Sequence, residues 1–402
     1  MASTLTTWRI RTLAGTGEPG FGGDGEFAVR AQMNEPKGLT IDCHGQVYVA
    51  DSENHVIRKI ERATGRISTV AGTPFVEQTP SIAPSKPSVA LESEDPFTES
   101  GDGSRTSAYT QQADLSGTVR YWTQGPSVST RYGGDGGLAV GAQLNFPTAV
   151  AVDRVGNLYI ADTMNHRVRR VDAATGVITT LAGIGQARFS GDGGPANQAA
   201  LNEPAALVLG DNDTRLYVAD QSNHRVRMID FSTGVIQTVA GTGSATYDGD
   251  GKPGTETALA GPSGVALADD HLYIADTFNG RIRGLHLSTG LISTVAGDGG
   301  SYRYESASDA SSASLSRPTG IAIDHQGRLF LTDSDNHLIR EWDRESGKAV
   351  RVVGQGIPCY SGDGGLAREA GVCYPFGIVS DRDGTLLVAD TFNHRIRVLT
   401  LE

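Results

Sequence analysis

One phrase is written six times in this chain. It reads YIADTMNHRVR at 159–169, YVADQSNHRVR at 217–227 and LVADTFNHRIR at 387–397, and its aspartate recurs at Asp51, Asp162, Asp220, Asp276, Asp333 and Asp390. The last five aspartates stand 56 to 58 residues apart, and the first interval is 111. A fixed period of this length means that one supersecondary unit is copied through a single architecture. It overrides the two or three domains that 402 residues alone would suggest.

Each copy carries four strand-like runs, as in PAALVLG, RLYVAD, HRVRMID and GVIQTVAG of the third. They are short, rich in Val, Ile, Leu and Tyr, and separated by Gly, Asn and Asp turns. The second run is apolar on consecutive residues rather than alternate ones, so both of its faces are buried. Four-stranded sheets buried on both faces and repeated six times predict an all-β, six-bladed propeller. Five copies end in a fourth strand such as GVITTLAG, but the sixth runs out at RIRVLTLE. The matching strand lies at the other end of the chain, as WRIRTLAG at 8–15. It is expected to complete the last blade and cover an otherwise exposed edge.

The string P-x-G-hydrophobic-A-x-D followed by G-N-L-Y-I-A-D-x-x-N-H-R-hydrophobic-R resembles the NHL repeat, over essentially all of the chain except residues 75 to 130. The resemblance implies a six-bladed propeller and leaves function open. Similar propellers include protein-binding and RNA-binding modules, an amidating lyase and, more distantly, strictosidine synthase, paraoxonase and regucalcin-like hydrolases.

Repetition itself separates frame from function, because the ligands of one central site would not be copied into every blade. The histidines His55, His166, His224, His337 and His394, replaced by Gly280 in the fourth copy, therefore read as structural. So do the arginines three residues further on. Asp and Asn in the phrase satisfy backbone N–H groups of a hairpin turn, while His and Arg are expected to pair against the next blade. Gly-Asp-Gly in five of the inter-blade loops, at Asp24, Asp135, Asp192, Asp250 and Asp363, suits tight turns with positive φ.

A site shared by the whole ring should form where the copies differ. The differing residues flank the proline that opens each blade, on the channel-mouth face. Tyr374, Lys37 and Glu203 are the expected proton-handling groups and Arg317 the expected anion holder. Glu35, Phe146 and Phe376, with Tyr302 and Arg303 from the fifth loop, are expected to line the pocket. This mixture suits a small polar organic ligand and a lyase, cyclase or hydrolase reaction. A non-catalytic scaffold for a protein or peptide is the alternative.

Calcium in the channel is an open option, since Asn34, Asn145 and Asn202 adjoin Glu35 and Glu203 and supply oxygen ligands. No histidine set has zinc spacing. Cys359 and Cys373 are readable as a disulfide, as free thiols, or with Cys373 as a nucleophile at the mouth.

Between Gly72 and Pro147 the inter-blade step is 75 residues instead of 21. The extra stretch, 75–130, contains PSIAPSKPS and few apolar residues. It is expected to form a flap beside the mouth, anchored by Tyr121 and Trp122, or a spacer that touches nothing.

A net charge of −12 without any Lys/Arg run excludes a nucleic-acid partner as the expectation. No segment reaches the roughly 20 apolar residues of a membrane span, and MASTLTTWRIR has no apolar core of a signal peptide. A cytoplasmic monomer acting on a small molecule is the combined expectation.

Overall fold

Burial of each second strand on both faces decides the architecture. In the computed structural model, Val47 and Val49 pack in a layer with Leu387 and Ala389, whereas Tyr48 and Ala50 between them face a second layer with Leu158 and Ile160. The core is therefore not one mass but a series of layers, each between adjacent blades. The structure describes residues 7–74, 131–210, 212–300, 314–343 and 348–402. The insertion at 75–130 with Tyr121 and Trp122 lies outside the described residues, as do Tyr302 and Arg303.

Six antiparallel sheets follow in chain order. The first blade is Pro36–Ile41, Val47–Asp51, Val56–Glu61 and Arg66–Ala71, running from the channel outwards. The second begins at Pro147–Val152, the third at Pro204–Gly210, the fourth at Pro262–Ala268 and the fifth at Pro318–Ile323. The fourth adds a two-residue outer strand, Lys252–Pro253. Among the described residues the only helical pieces are single 3-10 turns.

The sixth blade is Pro375–Ser380, Leu386–Asp390, Arg395–Leu401 and, as expected, Trp8–Ala14. Trp8 pairs with Leu401, Ile10 with Leu399 and Thr12 with Arg397. Trp8 is buried and meets Phe330 of the fifth blade edge to face at 5.7 Å. The clasp is thus anchored by packing against a neighbouring blade as well as by its ladder.

The third residue of each innermost strand is small: Gly38, Ala149, Ala206, Gly264, Gly320 or Gly377. The reason is a close approach between inner strands, since a Cβ on Gly264 would lie 1.9 Å from the Thr319 carbonyl oxygen. At this level the channel holds a cavity of about 80 Å³. It widens to about 240 Å³ towards the opposite face.

Candidate functional site

The repeated phrase builds a frame before it builds a site. Asp162 is completely buried, and its carboxylate accepts the Asn145 N–H at 2.7 Å, the Asn165 amide at 2.9 Å and the Arg169 guanidinium at 3.0 Å. Arg169, also fully buried, reaches Asp135 of the Gly-Asp-Gly loop at 2.5 Å. Arg227 joins Asp220 and Asp192 in the same way, and Arg397 joins Asp390 and Asp363. The loop aspartate is therefore the second counter-charge of a buried arginine, a role that reading it as a turn residue misses. The arginine also closes its own blade, contrary to the expected pairing with the next one.

Histidine does reach the next blade. The Nδ1 atoms of His394, His55, His166, His224 and His337 accept backbone N–H groups of Glu35, Phe146, Glu203, Gly261 and Tyr374, at 2.9 to 3.2 Å. A backbone N–H only donates, so Nδ1 holds the lone pair and Nε2 the proton. Burial lowers all five imidazoles, and it takes His55 and His337 down to about 4. Both the geometry and the burial call for neutral rings.

Five of the six variable residues that precede the blade-opening proline are held in this way; the exception is Arg317, which follows the blade that carries Gly280. All six lie in the left-handed region: Glu35 at φ 48°, Phe146 at 52°, Glu203 at 54°, Gly261 at 57°, Arg317 at 55° and Tyr374 at 47°. Such a conformation costs a residue with a Cβ about 1 kcal/mol. Five blades nonetheless place a side chain there.

Lys37 is 3% exposed. Its ammonium is 3.3 Å from the Glu35 carboxylate and 5.1, 5.2 and 6.0 Å from the ring centres of Phe146, Phe376 and Phe392. Arg317 is 3.4 Å from Asp335 and lies over Phe278 at 5.8 Å. Burial pushes Asp335 up to about 6 against the pull of Arg317. Glu203 accepts the Ser222 hydroxyl at 2.6 Å. Tyr374 stands edge-on to His337 at 4.5 Å and to Phe392 at 5.0 Å.

Phe278, Asp335, Ser222 and Phe392 were not among the expected site residues. They belong to a second variable position, the second residue after the repeated aspartate, which reads Glu53, Met164, Ser222, Phe278, Asp335 and Phe392. The Asp335 N–H bonds the Ser316 carbonyl at 3.3 Å and the Phe392 N–H the Cys373 carbonyl at 3.2 Å, which sets each beside its blade's first variable residue. The signal was present in the sequence. Within D-x-x-N-H the first x is Ser or Thr in five copies, and its hydroxyl bonds the next blade, as Thr163 does to the Pro204 carbonyl at 2.8 Å. The second x changes freely.

Of the residues after the proline, Lys37 and Phe376 contribute to the mouth. Thr148 and Thr319 turn their hydroxyls to carbonyls of the following blade instead. Of the residues weighed for calcium, Glu35 pairs with Lys37 and Glu203 accepts the Ser222 hydroxyl. Among the described residues no three His, Cys, Asp or Glu side chains form a metal-binding group. Cys359 and Cys373 are free thiols. Burial, reinforced by Asp390, pushes the Cys373 thiol up to about 12, which removes the nucleophile reading. No helix among the described residues is long and apolar enough to cross a membrane.

Comparison with known proteins agrees with the repeat frame. Residues 144–171, 315–342 and 372–399 match the NHL repeat, and residues 14–92 match the teneurin NHL domain. The chain is an NHL-repeat propeller. The Arabidopsis thaliana protein SUPPRESSOR OF QUENCHING 1, chloroplastic, is 31% identical over 65% of this propeller chain and 25% of its own length. NHL repeat-containing protein 2 of Gallus gallus is 28% identical over 65% of this chain and 40% of its own length. The NHL-repeat propeller thus spans a quarter to two-fifths of these curated relatives. A solved Bacteroides thetaiotaomicron protein of unknown function superposes with a TM-score of 0.63 at 16% identity, covering 99% of this chain and 76% of that one. At that identity the likeness concerns the fold alone.

Proposed function

We propose that this NHL-repeat propeller binds a small polar organic ligand at the channel mouth. The observation that carries the reading is the collection of charged and aromatic side chains at three variable positions per blade, on a frame that repeats otherwise. A frame that places six backbones equivalently and then differs in side chain at those points has the form of a single asymmetric site. Lys37, Glu203, Arg317 and Tyr374 are retained as contact residues, with Glu35, Phe146 and Phe376 as lining, and Asp335 joins them. A carboxyl with a pKa of about 6 beside a guanidinium exchanges protons near neutrality, so Asp335 is the group best suited to general acid–base work if the ligand is turned over.

The test is ligand-induced thermal stabilisation against fractionated metabolites, in the wild type and in Arg317→Ala. The variant should lose the stabilisation while its own stability changes by about 1 kcal/mol or less, because Asp335 without its partner takes up a proton. Full ligand response in Arg317→Ala and Tyr374→Ala, with loss on substituting outer-strand residues, would replace the pocket by a protein- or peptide-binding scaffold.

A further inference from the structure

Resting on the reading of the mouth as a ligand site, we infer that the ligand carries a cationic amine, primary or quaternary, with Glu203 as its counter-charge. The mouth already contains an example of how it treats an ammonium group. The Lys37 amine sits 3.3 Å from the Glu35 carboxylate and within 5.1 to 6.0 Å of three phenyl rings. A carboxylate beside several aromatic faces is the environment that holds alkylammonium ions, because the ring quadrupoles and the formal charge attract in the same sense. The rings come from two blades: Phe146 from the second, Phe376 and Phe392 from the sixth. Tyr374 extends the aromatic arc beyond Phe392 at 5.0 Å.

The charge balance points the same way. At the variable positions the carboxylates Glu35, Glu203 and Asp335 stand against the cations Lys37 and Arg317. Each cation has a carboxylate of its own, Lys37 with Glu35 and Arg317 with Asp335. An anionic ligand would have to compete with those carboxylates for the two cations, and it would be desolvated against further negative charge. Glu203, in contrast, takes a neutral donor, the Ser222 hydroxyl at 2.6 Å. It lies in the third blade, next in the ring to the blade of Phe146 and opposite the blade of Tyr374 and Phe392. An incoming ammonium there gains a charge partner without breaking an ion pair.

The experiment uses the full chain and three probes of similar shape: choline, its neutral analogue 3,3-dimethylbutanol, and 3,3-dimethylbutanoate. Binding is read by ligand-observed NMR and by thermal shift. The expected result is that choline binds, the neutral analogue binds at least tenfold more weakly, and the carboxylate does not bind. Glu203→Gln should weaken choline at least tenfold, and Phe392→Leu should weaken it by a smaller factor. Binding of the carboxylate that is lost in Arg317→Ala would overturn the amine assignment and leave the mouth reading standing. Choline binding unchanged in both Glu203→Gln and Phe392→Leu would place it away from the mouth and overturn the assignment together with its location. Absence of binding by all three probes would overturn the assignment as well.

Discussion

At Glu203 the backbone and the side chain belong to two different regimes. Its N–H is held by His166 of the preceding blade, as the equivalent N–H is in four other blades. Its carboxylate has a direct counterpart only in Glu35, and the four remaining blades put Phe, Gly, Arg and Tyr at the same place. The repeated Asp–Asn–His–Arg set fixes where a residue stands, including a left-handed backbone that side chains do not seek unaided. What the residue presents is then free to change without disturbing the frame. Variation in the frame should therefore be read out as stability, and variation at the mouth as ligand affinity.

The strongest way to break this division is Arg169→Ala. The side chain is fully buried between Asp162 and Asp135, and its removal strands a buried carboxylate. We expect a loss of about 3 to 5 kcal/mol in urea unfolding, with whatever protein remains folded binding ligand at ordinary affinity. A loss under about 1 kcal/mol would mean that the frame is not held by these pairs.

The histidine staple makes a pH-dependent version of the same comparison. His55 has its ordinary value of 6.5 when unfolded and about 4 when folded. A depressed folded value means that the neutral ring's contribution is complete above pH 6.5 and is lost as pH falls through 4. His55→Gly copies the natural Gly280 of the fourth blade, at the same positive φ, and removes the imidazole without straining the backbone. The stability gap between wild type and His55→Gly should narrow by roughly 3 kcal/mol between pH 7 and pH 4. A gap that stays constant across this range would show that the staple does not depend on a neutral imidazole.

The smallest effect should come from Glu203→Gly. It keeps the N–H that His166 accepts and relieves a left-handed Cβ-bearing residue, so stability should stay level or rise by up to about 1 kcal/mol, while ligand binding is lost. Destabilisation by more than that would place Glu203 in the frame instead of the site.

The blades and their closure were readable because six copies could be laid side by side, and a missing fourth strand shows up against five present ones. The same comparison singled out Glu35, Lys37, Glu203, Arg317 and Tyr374, and all of them but Lys37 stand at the equivalent left-handed position before the blade-opening proline. It stopped short at Asp335 and Phe392 because D-x-x-N-H was read as one structural phrase, although its second x varies as much as the residue before the proline. The tie between Asp135 and Arg169 was not legible either. The two are 34 residues apart, and only the folded ring shows that a turn residue is also a counter-charge. The insertion at 75–130 has no second copy against which to read it.

The pairing of Trp8–Ala14 with Arg395–Leu401 bears on time as well as on shape. These partners are nearly four hundred residues apart, so the loop between them is about as long as the chain allows, and its closure cannot precede the formation of the blades that fill it. Until then every partly assembled ring carries an unpaired strand edge at each end, which another copy can bind. The order of events is therefore set by the ring itself: five blades can zip entirely from their own hairpins, and the sixth must wait for its fourth strand.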